Sequence, residues 1–533
     1  MKRFLASLLL ALPSTTLLAQ GNFASYADEA FRFNDFVQSG TARFRGVGGN
    51  QVALGGDASN IAGNPAGLGF YNRSEFSISP SLNLNATSNR FIDATRTADR
   101  SNVNLGNLSV VFANNRPMNS RWRRSTFGIS YSQNANFSTL IDAQATNRNN
   151  NSSFLNEYLI GLNQAEGGNL RERALSQDYD SNTQTARTPE AAAYALFLIN
   201  PTVYGATPQN PNGTIDTNGA PFSTLDPNVS RNQRLTVEQS GANSQWTFAY
   251  AGNLEDKLYI GVSGAITRIR YNRDQTLRET PINGTFFDNY GRTDQLAVTG
   301  TGFNLTAGAI YRPVQSFQIG LTASTPTFYR MQETFNQTLF ATARDAGLRQ
   351  DLNGLSSVPV DANDFEYSLT TPFRASGGFT YFLGGGKIGF ITATADYVAF
   401  GGMRASTSFA SSQTNEDFRT DVRQTIQDTY QNVVNVRAGA EIRAGMLRVR
   451  GGVAYLPSAF RIDLDRVNRA DRARTVFSGG LGLRTERFFA DLSGTYYTTN
   501  QGLSPYFLND EDTPTVATTN NRTSAMLSVG FFF

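Results

Sequence analysis

Cysteine and histidine are both absent from the 533 residues of this chain. Without cysteine there is no disulfide, no thiolate metal site, no cysteine nucleophile and no lipoprotein anchor. Without histidine the usual general base is missing, and with it Ser-His triads and most catalytic zinc sites. Both absences argue against an enzyme, so we expect no catalytic residue, no bound metal and no cofactor.

Charge is also scarce, since Asp, Glu, Lys and Arg make up only 17% of the chain. Aromatic residues reach 12% and there are 48 glycines, which is the opposite of the balance that favours disorder. The formal charge of +3 and the lack of a basic cluster interleaved with aromatics exclude a nucleic-acid footprint. No later stretch approaches twenty apolar residues, so no transmembrane helix is predicted.

The first twenty residues, "MKRFLASLLLALPSTTLLAQ", have the pattern of a secretory signal peptide. Lys2 and Arg3 precede an apolar run from Phe4 to Leu12 that is too short to span a bilayer. Removing residues 1–20 leaves 44 Lys and Arg against 43 Asp and Glu, a net charge of +1. We therefore expect the mature chain to leave the cytoplasm.

From Ser74 onward the sequence alternates between apolar and polar residues with period two, which is the pattern of a strand with one apolar face. The final residues "SAMLSVGFFF" place Leu527, Val529, Phe531 and Phe533 on one face. Fourteen such strands are predicted, at 74–86, 104–113, 125–137, 244–252, 258–271, 302–312, 316–325, 373–383, 387–399, 433–443, 446–456, 475–484, 487–497 and 523–533.

The connections after the first strand alternate between long and short. Short periplasmic turns opposite long external loops, together with an even strand count, are typical of outer-membrane barrels. A soluble β-sandwich is the alternative, but it would cover its apolar faces with a second sheet and would not need the loop asymmetry. The predicted fold is therefore all-β: a transmembrane antiparallel barrel of about fourteen strands over residues 74–533, in the outer membrane of a Gram-negative bacterium.

If the apolar faces of these strands contact lipid, their polar faces line the lumen. A set of charged residues is then predicted to form a lumenal polar network: Arg374, Asp396, Arg437, Glu441, Arg448, Arg450 and Asp491. Both signs occur where neighbouring strands could pair them. Fourteen strands enclose room for a pore or for a plug.

Residues 21–73 precede the first strand and do not have its alternation. "GNFASYADEAFRFNDF" has helical character, and the glycine-rich stretch after it carries apolar residues such as Ile61 and Leu68. Small residues let backbone pack closely against its surroundings. We expect this segment to plug the lumen; an exposed periplasmic extension is the alternative.

The stretch "RGVGGNQVALGGDASNIAGNPAGL" resembles the N-terminal hatch of the FadL/TodX-type outer-membrane transporters of hydrophobic compounds, with Asn64, Pro65 and Ala66 at the family's Asn-Pro-Ala motif. Supporting segments are "AGAIYRPVQSFQIGLTASTPT", "PFRASGGFTYFLGGGKIGFITATADYVAF" and "VRAGAEIRAGMLRVRGGVAY". The resemblance implies a fourteen-stranded barrel, closed by the hatch, that captures hydrophobic ligands outside and releases them sideways beside an inwardly kinked strand. It also implies that the barrel-assembly machinery recognises the aromatic C-terminal residue, Phe533.

Two further features concern the capture groove and the lateral opening. The longest predicted loop, 138–243, follows the third strand, whereas the capture groove of the family lies between later loops. Its segment "EAAAYALFLIN", residues 190–200, could line such a groove or pack on the loop's own core. The third strand is the candidate for lateral opening, with a bend at Gly128 next to the Asn64-Pro65-Ala66 turn.

The leading functional prediction is passive uptake of hydrophobic compounds, with long-chain fatty acids as the default ligand. We expect the protein to be a monomer surrounded by outer-membrane lipids. A PorV-like component of type IX secretion, binding protein partners, is the main alternative. The hatch argues against an open hydrophilic porin, and the missing histidine argues against an outer-membrane enzyme with Ser-His chemistry. The sequence does not decide between transport and secretion.

Overall fold

A computed structural model of the chain describes residues 23–34, 40–117, 120–164, 168–201, 203–204, 214–215, 222–461, 472–508 and 512–533. The predicted signal peptide, residues 1–20, lies outside the described residues. No helix in these ranges combines the length and the apolar character needed to cross a bilayer.

Fourteen antiparallel strands form a closed barrel, because the last strand pairs with the first from Glu75–Phe532 to Phe91–Val516. Four of the strands are interrupted and consist of two segments each. In chain order the strands are β1 (Glu75–Phe91), β2 (Ala94–Asn115), β3 (Trp122–Asn136 and Thr139–Asn147), β4 (Arg231–Leu254), β5 (Leu258–Pro281), β6 (Phe287–Val314), β7 (Phe317–Ser324 and Phe328–Ala343), β8 (Ser357–Thr370 and Arg374–Leu383), β9 (Gly389–Val398 and Arg404–Ser406), β10 (Val433–Ala444), β11 (Leu447–Leu456), β12 (Arg474–Arg484), β13 (Phe488–Leu503) and β14 (Val516–Phe532).

Helices lie at the N-terminus and in the connections. The α-helices are α1 (Phe23–Arg32), α2 (Ala42–Gly46), α3 (Phe154–Gln164), α4 (Gly168–Gln177), α5 (Pro189–Ala195), α6 (Ala346–Leu352) and α7 (Ser412–Thr429). Short 3₁₀ helices occupy Ala58–Ile61, Pro65–Phe70, Gly384–Gly386 and Phe400–Gly402. Two-residue strands in the β3–β4 connection are Tyr179–Asp180, Thr185–Ala186, Asn200–Pro201, Val203–Tyr204, Thr214–Ile215 and Phe222–Ser223.

The predicted fold class and strand number are confirmed, but the outer halves of many strands were missed. β5 and β6, for example, continue as a long hairpin to Pro281 and Phe287. The connection from β1 to β2, predicted as a long loop, is the two-residue turn Ile92-Asp93, with Ile92 at a positive φ of 53°. The loop predicted over 138–243 likewise begins and ends as strand.

An apolar band encircles the outside of the barrel. Large hydrophobic side chains on the outward faces stay exposed on every strand, among them Phe76, Phe248, Leu321, Val449 and Leu527. Their strand neighbours point inward and are buried, as Ser524, Met526 and Ser528 show on β14. This alternation of apolar-out and polar-in residues is what a bilayer around the barrel requires.

The C-terminal residue completes this band. Phe533 is 67% exposed, and its backbone exchanges two hydrogen bonds of 3.0 Å with Ser74 at the closure of the barrel. We predict that Phe533→Asp reduces the folded, heat-modifiable band on cold gels and leaves protein in the periplasm, because it removes the aromatic end that the assembly machinery is expected to recognise. Normal insertion of this variant would contradict that role.

Residues 40–71, hereafter the N-terminal segment, pack against the inward face of strands around the barrel. The backbone of Val47 and Gly48 lies on Gly439 and Gly452, where any side chain would collide with it. The backbone of Val52 likewise lies against Gly320, and that of Pro65 lies against Gly261. On the opposite wall, the amide of Ala42 donates to the Ser528 hydroxyl at 2.7 Å.

The connection between β3 and β4 folds into a cap that shares an apolar core with the outer ends of the barrel strands. Thr188 caps α5, and Ala191, Ala192 and Ala193 on the helix are fully buried together with Leu196, Leu198 and Ile199 beyond it. The residues of "EAAAYALFLIN" are therefore buried, but in a core that the loop shares with strand residues such as Leu235, Leu277 and Leu339, so neither of the two interpretations holds as stated. Only the start of the helix, at Pro189 and Glu190, reaches the cavity described below.

Helix α1 forms a second apolar contact region, with the loop helix α7. Phe418, Val422 and Ile426, spaced four residues apart on α7, are buried in one cluster with Tyr26 and Phe33. The Tyr26 ring lies 5.1 Å from that of Phe418 between centroids, at an angle of 71°. This packing joins the N-terminal part of the chain to the β9–β10 connection.

Candidate functional site

A buried network of ion pairs joins the N-terminal segment to the wall. Glu441 on β10 accepts from Arg450 on β11 at 2.8 Å and from Arg443 at 2.9 Å, and lies 3.6 Å from Arg43 on α2. Arg450 in turn donates to Asp491 on β13 at 2.6 Å. Removing one partner from such a cluster leaves an uncompensated buried charge, which typically destabilises by about 3–5 kcal/mol.

The other residues of the predicted lumenal network lie apart from this cluster. Arg437 forms an ion pair with Asp396 on the neighbouring strand β9. Arg374 on β8 donates to the carbonyl of Asn34 at 2.7 Å. Arg448 donates to the carbonyls of Gly445 at 2.6 Å and Leu447 at 2.8 Å, at the turn between β10 and β11. The structure thus places the seven charges in several groups and not in one network.

A cysteine-labelling scan can test this orientation of the charged residues in a chain with no native cysteine. Cysteines at Arg437, Glu441 and Arg448 are expected to resist a thiol reagent dissolved in lipid, whereas cysteines at Val436, Ala440 and Val449 are expected to react. An Arg or Lys at the midplane of the lipid face would cost about 2–4 kcal/mol. The reversed labelling pattern would contradict the register of this hairpin.

Two arginines on helix α2 were missed by the sequence reasoning. Burial lowers the pKa of Arg43, but the carboxylates of Glu441 and Asp57 raise it above its ordinary value. Arg45, two residues further along the helix, has no carboxylate partner among the described residues, and burial lowers its pKa to about 10. Both guanidinium groups therefore remain protonated at neutral pH.

The Asn64-Pro65-Ala66 turn attaches the N-terminal segment to strands β5, β6 and β7. Asn64 is fully buried; its side-chain oxygen accepts from the amide of Ala66 at 3.1 Å and its amide group donates to the carbonyl of Val52 at 2.5 Å. The same amide group lies 3.4 Å from the carbonyl of Leu321 on β7. Pro65 begins the 3₁₀ turn that follows. Asn64 and Pro65 themselves lie against glycines on β6 and β5 and not on the predicted third strand, whereas Leu68 in the same 3₁₀ helix approaches Gly128 on that strand.

Backbone hydrogen bonding between β2 and β3 stops partway along the barrel wall. Their backbone ladder runs from Asn115–Arg124 to Asn107–Ser132 and ends there. Beyond that point the described residues of β2 pair only with β1, and those of β3 only with β4. We refer to the edges left without a shared ladder, residues 94–106 of β2 and 133–147 of β3, as the β2–β3 seam.

The outer segment of β3 lies inside the wall at this seam. Three of its carbonyls, those of Ser138, Leu140 and Asp142, accept hydrogen bonds from inward-pointing side chains of β1. The donors are Asn85 at 2.7 Å, Thr87 at 2.6 Å and Asn89 at 3.3 Å. The strand has therefore moved off the β2 edge and crossed the inner face of β1.

The strand does not bend at Gly128, which is where the sequence suggested a bulge. Gly128 pairs regularly with Val111 and Ala249, and a side chain there would collide with Ile61 and Leu68 of the N-terminal segment. Its glycine is required by that close approach. The irregularity lies further along the strand, where the β3–β4 register shifts beside Asn134 and the strand is interrupted at Phe137 and Ser138.

Side chains instead of backbone bridge the β2–β3 seam. Asn136 donates to Asn102 at 3.0 Å, and Asn104 contacts Gln133. Further out, Arg96 lies 3.1 Å from Asp142, and Arg100 reaches past β3 to Glu238 on β4 at 2.5 Å. Polar side-chain contacts of this kind can separate without breaking a backbone ladder.

A cavity of about 1490 Å³ occupies the lumen between the cap and the N-terminal segment. This exceeds the roughly 300–1,000 Å³ of ordinary small-molecule pockets. Its wall combines aromatic side chains, such as Phe137 and Phe400, with asparagines and arginines. Asn104, Gln133 and Asn136 belong both to this lining and to the β2–β3 seam. The cavity thus extends to the place where the wall lacks a backbone ladder.

The site and fold together define a class: a closed fourteen-stranded barrel with an N-terminal segment packed on its inner face and a large cavity above it. No family model matches the chain, and no curated protein matches it in sequence.

Solved structures share this fold, and two of them illustrate the likeness. A Pseudomonas aeruginosa FadL homologue superposes with a TM-score of 0.52 at 11% identity, covering 93% of this chain and 99% of that chain. The deltaS2 mutant of the TodX monoaromatic hydrocarbon channel gives a TM-score of 0.50 at 12% identity, covering 92% and 98%. The fold implied by the FadL/TodX resemblance is therefore confirmed.

Proposed function

We propose that this protein takes up hydrophobic compounds passively across the outer membrane and releases them sideways into the bilayer. The observation that carries the proposal is that the lumenal cavity reaches the β2–β3 seam. An apolar solute gains little from a water-filled pore, because each buried CH₂ favours an apolar site by about 0.8 kcal/mol. A route from the lumen to lipid avoids the aqueous step.

In this proposal the N-terminal segment is the hatch, and it closes the periplasmic end of the barrel. The segment contacts glycines on β3, β5, β6, β7, β10 and β11. These contacts support this role, because they show that the segment extends across the cross-section of the barrel lumen. The ion pair of Arg43 with Glu441 and the Ala42 to Ser528 hydrogen bond hold it from two sides. A ligand that enters from outside would then leave through the wall.

The two solved structures of the same fold are named as a FadL homologue and as a monoaromatic hydrocarbon channel. These names support transport of a hydrophobic compound over catalysis, and the exposed apolar band of the closed barrel supports placement in an outer membrane. Long-chain fatty acids are the ligands we propose, with a monomer as the functional unit.

Native mass spectrometry of detergent-extracted protein tests the proposal. We expect a co-purified amphiphile or hydrocarbon that is retained by the intact barrel. Leu481→Trp, on the exposed outer face of β12 and away from the seam, serves as a matched variant whose cavity is unchanged and which should retain the same ligand. Uptake would be contradicted if the wild-type protein carried no ligand and bound no added hydrophobic compound. Co-purification with secreted proteins would then favour the PorV-like secretion role.

A further inference from the structure

Charge is distributed unevenly between the two ends of the barrel. The short turns and the strand ends beside them, hereafter the periplasmic rim, carry twelve Lys and Arg against four Asp and Glu, while the rest of residues 21–533 carries 32 against 39. The rim comprises residues 71–75, 115–117, 120–124, 254–258, 312–317, 383–389, 443–448 and 484–488. The terminal carboxylate of Phe533 adds one negative charge there. Because short turns mark the periplasmic end of an outer-membrane barrel, that end is basic.

Arg116 and Arg123 oppose each other on the rim, at the turn from β2 to β3. The amide of Arg116 donates to the carbonyl of Arg123 at 3.0 Å, four residues beyond the cross-strand pair Phe112–Phe127. Alternate residues of a strand share a face, and Phe112 and Phe127 are exposed on the outward face. The two arginines therefore continue the lipid-facing side of the wall. Like charges directly opposite each other destabilise a strand pair, so this position favours a bound anion.

The charge of this arginine pair is not balanced by the protein. Among the residues that the structure describes, neither arginine forms an ion pair with a carboxylate. Glu255 on the next turn acts on Arg123 from beyond ion-pair distance, and it is already paired with Arg121 at 2.8 Å. Arg116 is exposed and Arg123 is half-buried, and the Nε of Arg123 is buried without a hydrogen-bond partner.

Aromatic side chains surround the arginine pair on the lipid-facing side. Phe112 is 47% exposed and Trp122 is 40% exposed. A side chain at Gly252 on β4 would collide with the Trp122 ring, so the indole lies over that strand on the face that also exposes Tyr250. Aromatic rings beside basic residues are typical of the membrane interface, where lipid headgroups lie. An acidic protein in the periplasm would not need this apolar surface.

We propose that Arg116 and Arg123 bind the phosphate of an anionic phospholipid in the periplasmic leaflet, whose acyl chains lie along Phe112 and Phe127. Phosphate oxygens accept hydrogen bonds from guanidinium groups in parallel pairs, and the negative charge removes the repulsion between the two arginines. A zwitterionic headgroup brings a cation of its own and compensates the pair less well. The site lies on the same two strands as the β2–β3 seam, at the other end of their shared ladder, and the inference does not depend on the proposed uptake function.

Native mass spectrometry of the purified barrel with phosphatidylglycerol and phosphatidylcholine of identical acyl chains tests this inference. We expect wild-type protein to retain phosphatidylglycerol about 25-fold more tightly, at about fivefold for each arginine, which corresponds to about 1 kcal/mol at 25 °C. Arg116→Gln and Arg123→Gln should each lose about fivefold of this preference, and the double variant should lose all of it. Arg123→Lys should retain most of it. Lys387→Gln, which removes a rim cation six strands away, should leave the preference unchanged.

A folded, heat-modifiable band on cold gels shows that each variant is assembled before its lipids are compared. Equal retention of the two lipids by wild-type protein, or an unchanged preference in the folded double variant, would overturn the site. An equal loss in Lys387→Gln would also overturn it, because the charge of the whole rim would then attract the lipid. Displacement of phosphatidylglycerol by an equal concentration of inorganic phosphate would show a site for small anions instead, and displacement by a polyglutamate peptide would show an acidic protein partner.

Discussion

Joining the two edges of the β2–β3 seam with a reducible crosslink is expected to abolish uptake of a labelled long-chain fatty acid. Asn102 and Asn136 face each other across the seam, with their side chains 3.0 Å apart, and both positions can carry cysteine in a chain without any native cysteine. A short thiol-reactive crosslinker should fix the edges together and block the passage from cavity to lipid. Reduction should restore uptake while the barrel stays assembled in both states.

A matched pair in the same two strands controls for the chemistry. Val110 and Ile129 are direct partners in the intact part of the β2–β3 ladder, so crosslinking cysteines there adds a bond where the wall is already closed. Uptake should be unchanged. Normal transport by the Asn102–Asn136 crosslinked protein would contradict lateral release at this seam.

Removal of the predicted plug, residues 21–73, which contain the N-terminal segment, is expected to turn the barrel into a conducting pore. Deletion of residues 21–73 should produce large single-channel steps in planar bilayers and sensitise cells to large polar antibiotics, because fourteen strands enclose enough room for a water-filled channel. Unchanged conductance of a folded deletion variant would contradict the plug.

A point substitution gives a sharper version of the same test. Gly452 and Gly451 are neighbours on β11, but only Gly452 lies against the backbone of Val47 and Gly48, whereas a side chain at Gly451 meets open space. Gly452→Val should displace the N-terminal segment and raise conductance towards that of the deletion. Gly451→Val adds the same side-chain volume to the same strand and should leave the low conductance of the closed protein unchanged.

The sequence predicted the membrane-facing part of this fold well, for a physical reason. Between lipid and lumen, a strand must alternate apolar and polar residues, and this alternation located all fourteen strands and oriented Leu447, Val449 and Val453 outward. Outward of the apolar band, which on β2 extends to the exposed Val103, both faces of a strand can be polar, as in residues 94–102 of β2, so the outer halves of the strands carried no such signal. The β1–β2 turn and the interrupted outer part of β3 were missed for that reason.

The candidate site was less predictable, because its partners are distant in the sequence. The pairing of Arg43 with Glu441, and the contact of Arg45 with Ser524, join residues about four hundred or more positions apart. Inward orientation of Arg450 and Asp491 followed from the strand pattern, but their contact followed only from the strand order. Gly128 was recognised as unusual, and its reason proved to be the approach of Ile61 and Leu68 instead of a bend.

Uptake of a labelled long-chain fatty acid by cells that lack a transporter of their own tests the central claim most directly. Cells producing the wild-type chain in the outer membrane are expected to accumulate the label faster than cells carrying an empty vector, and Gly451→Val should match wild type. Equal accumulation with and without a correctly assembled wild-type barrel, for fatty acid and neutral hydrocarbon alike, would contradict uptake as the function of this protein.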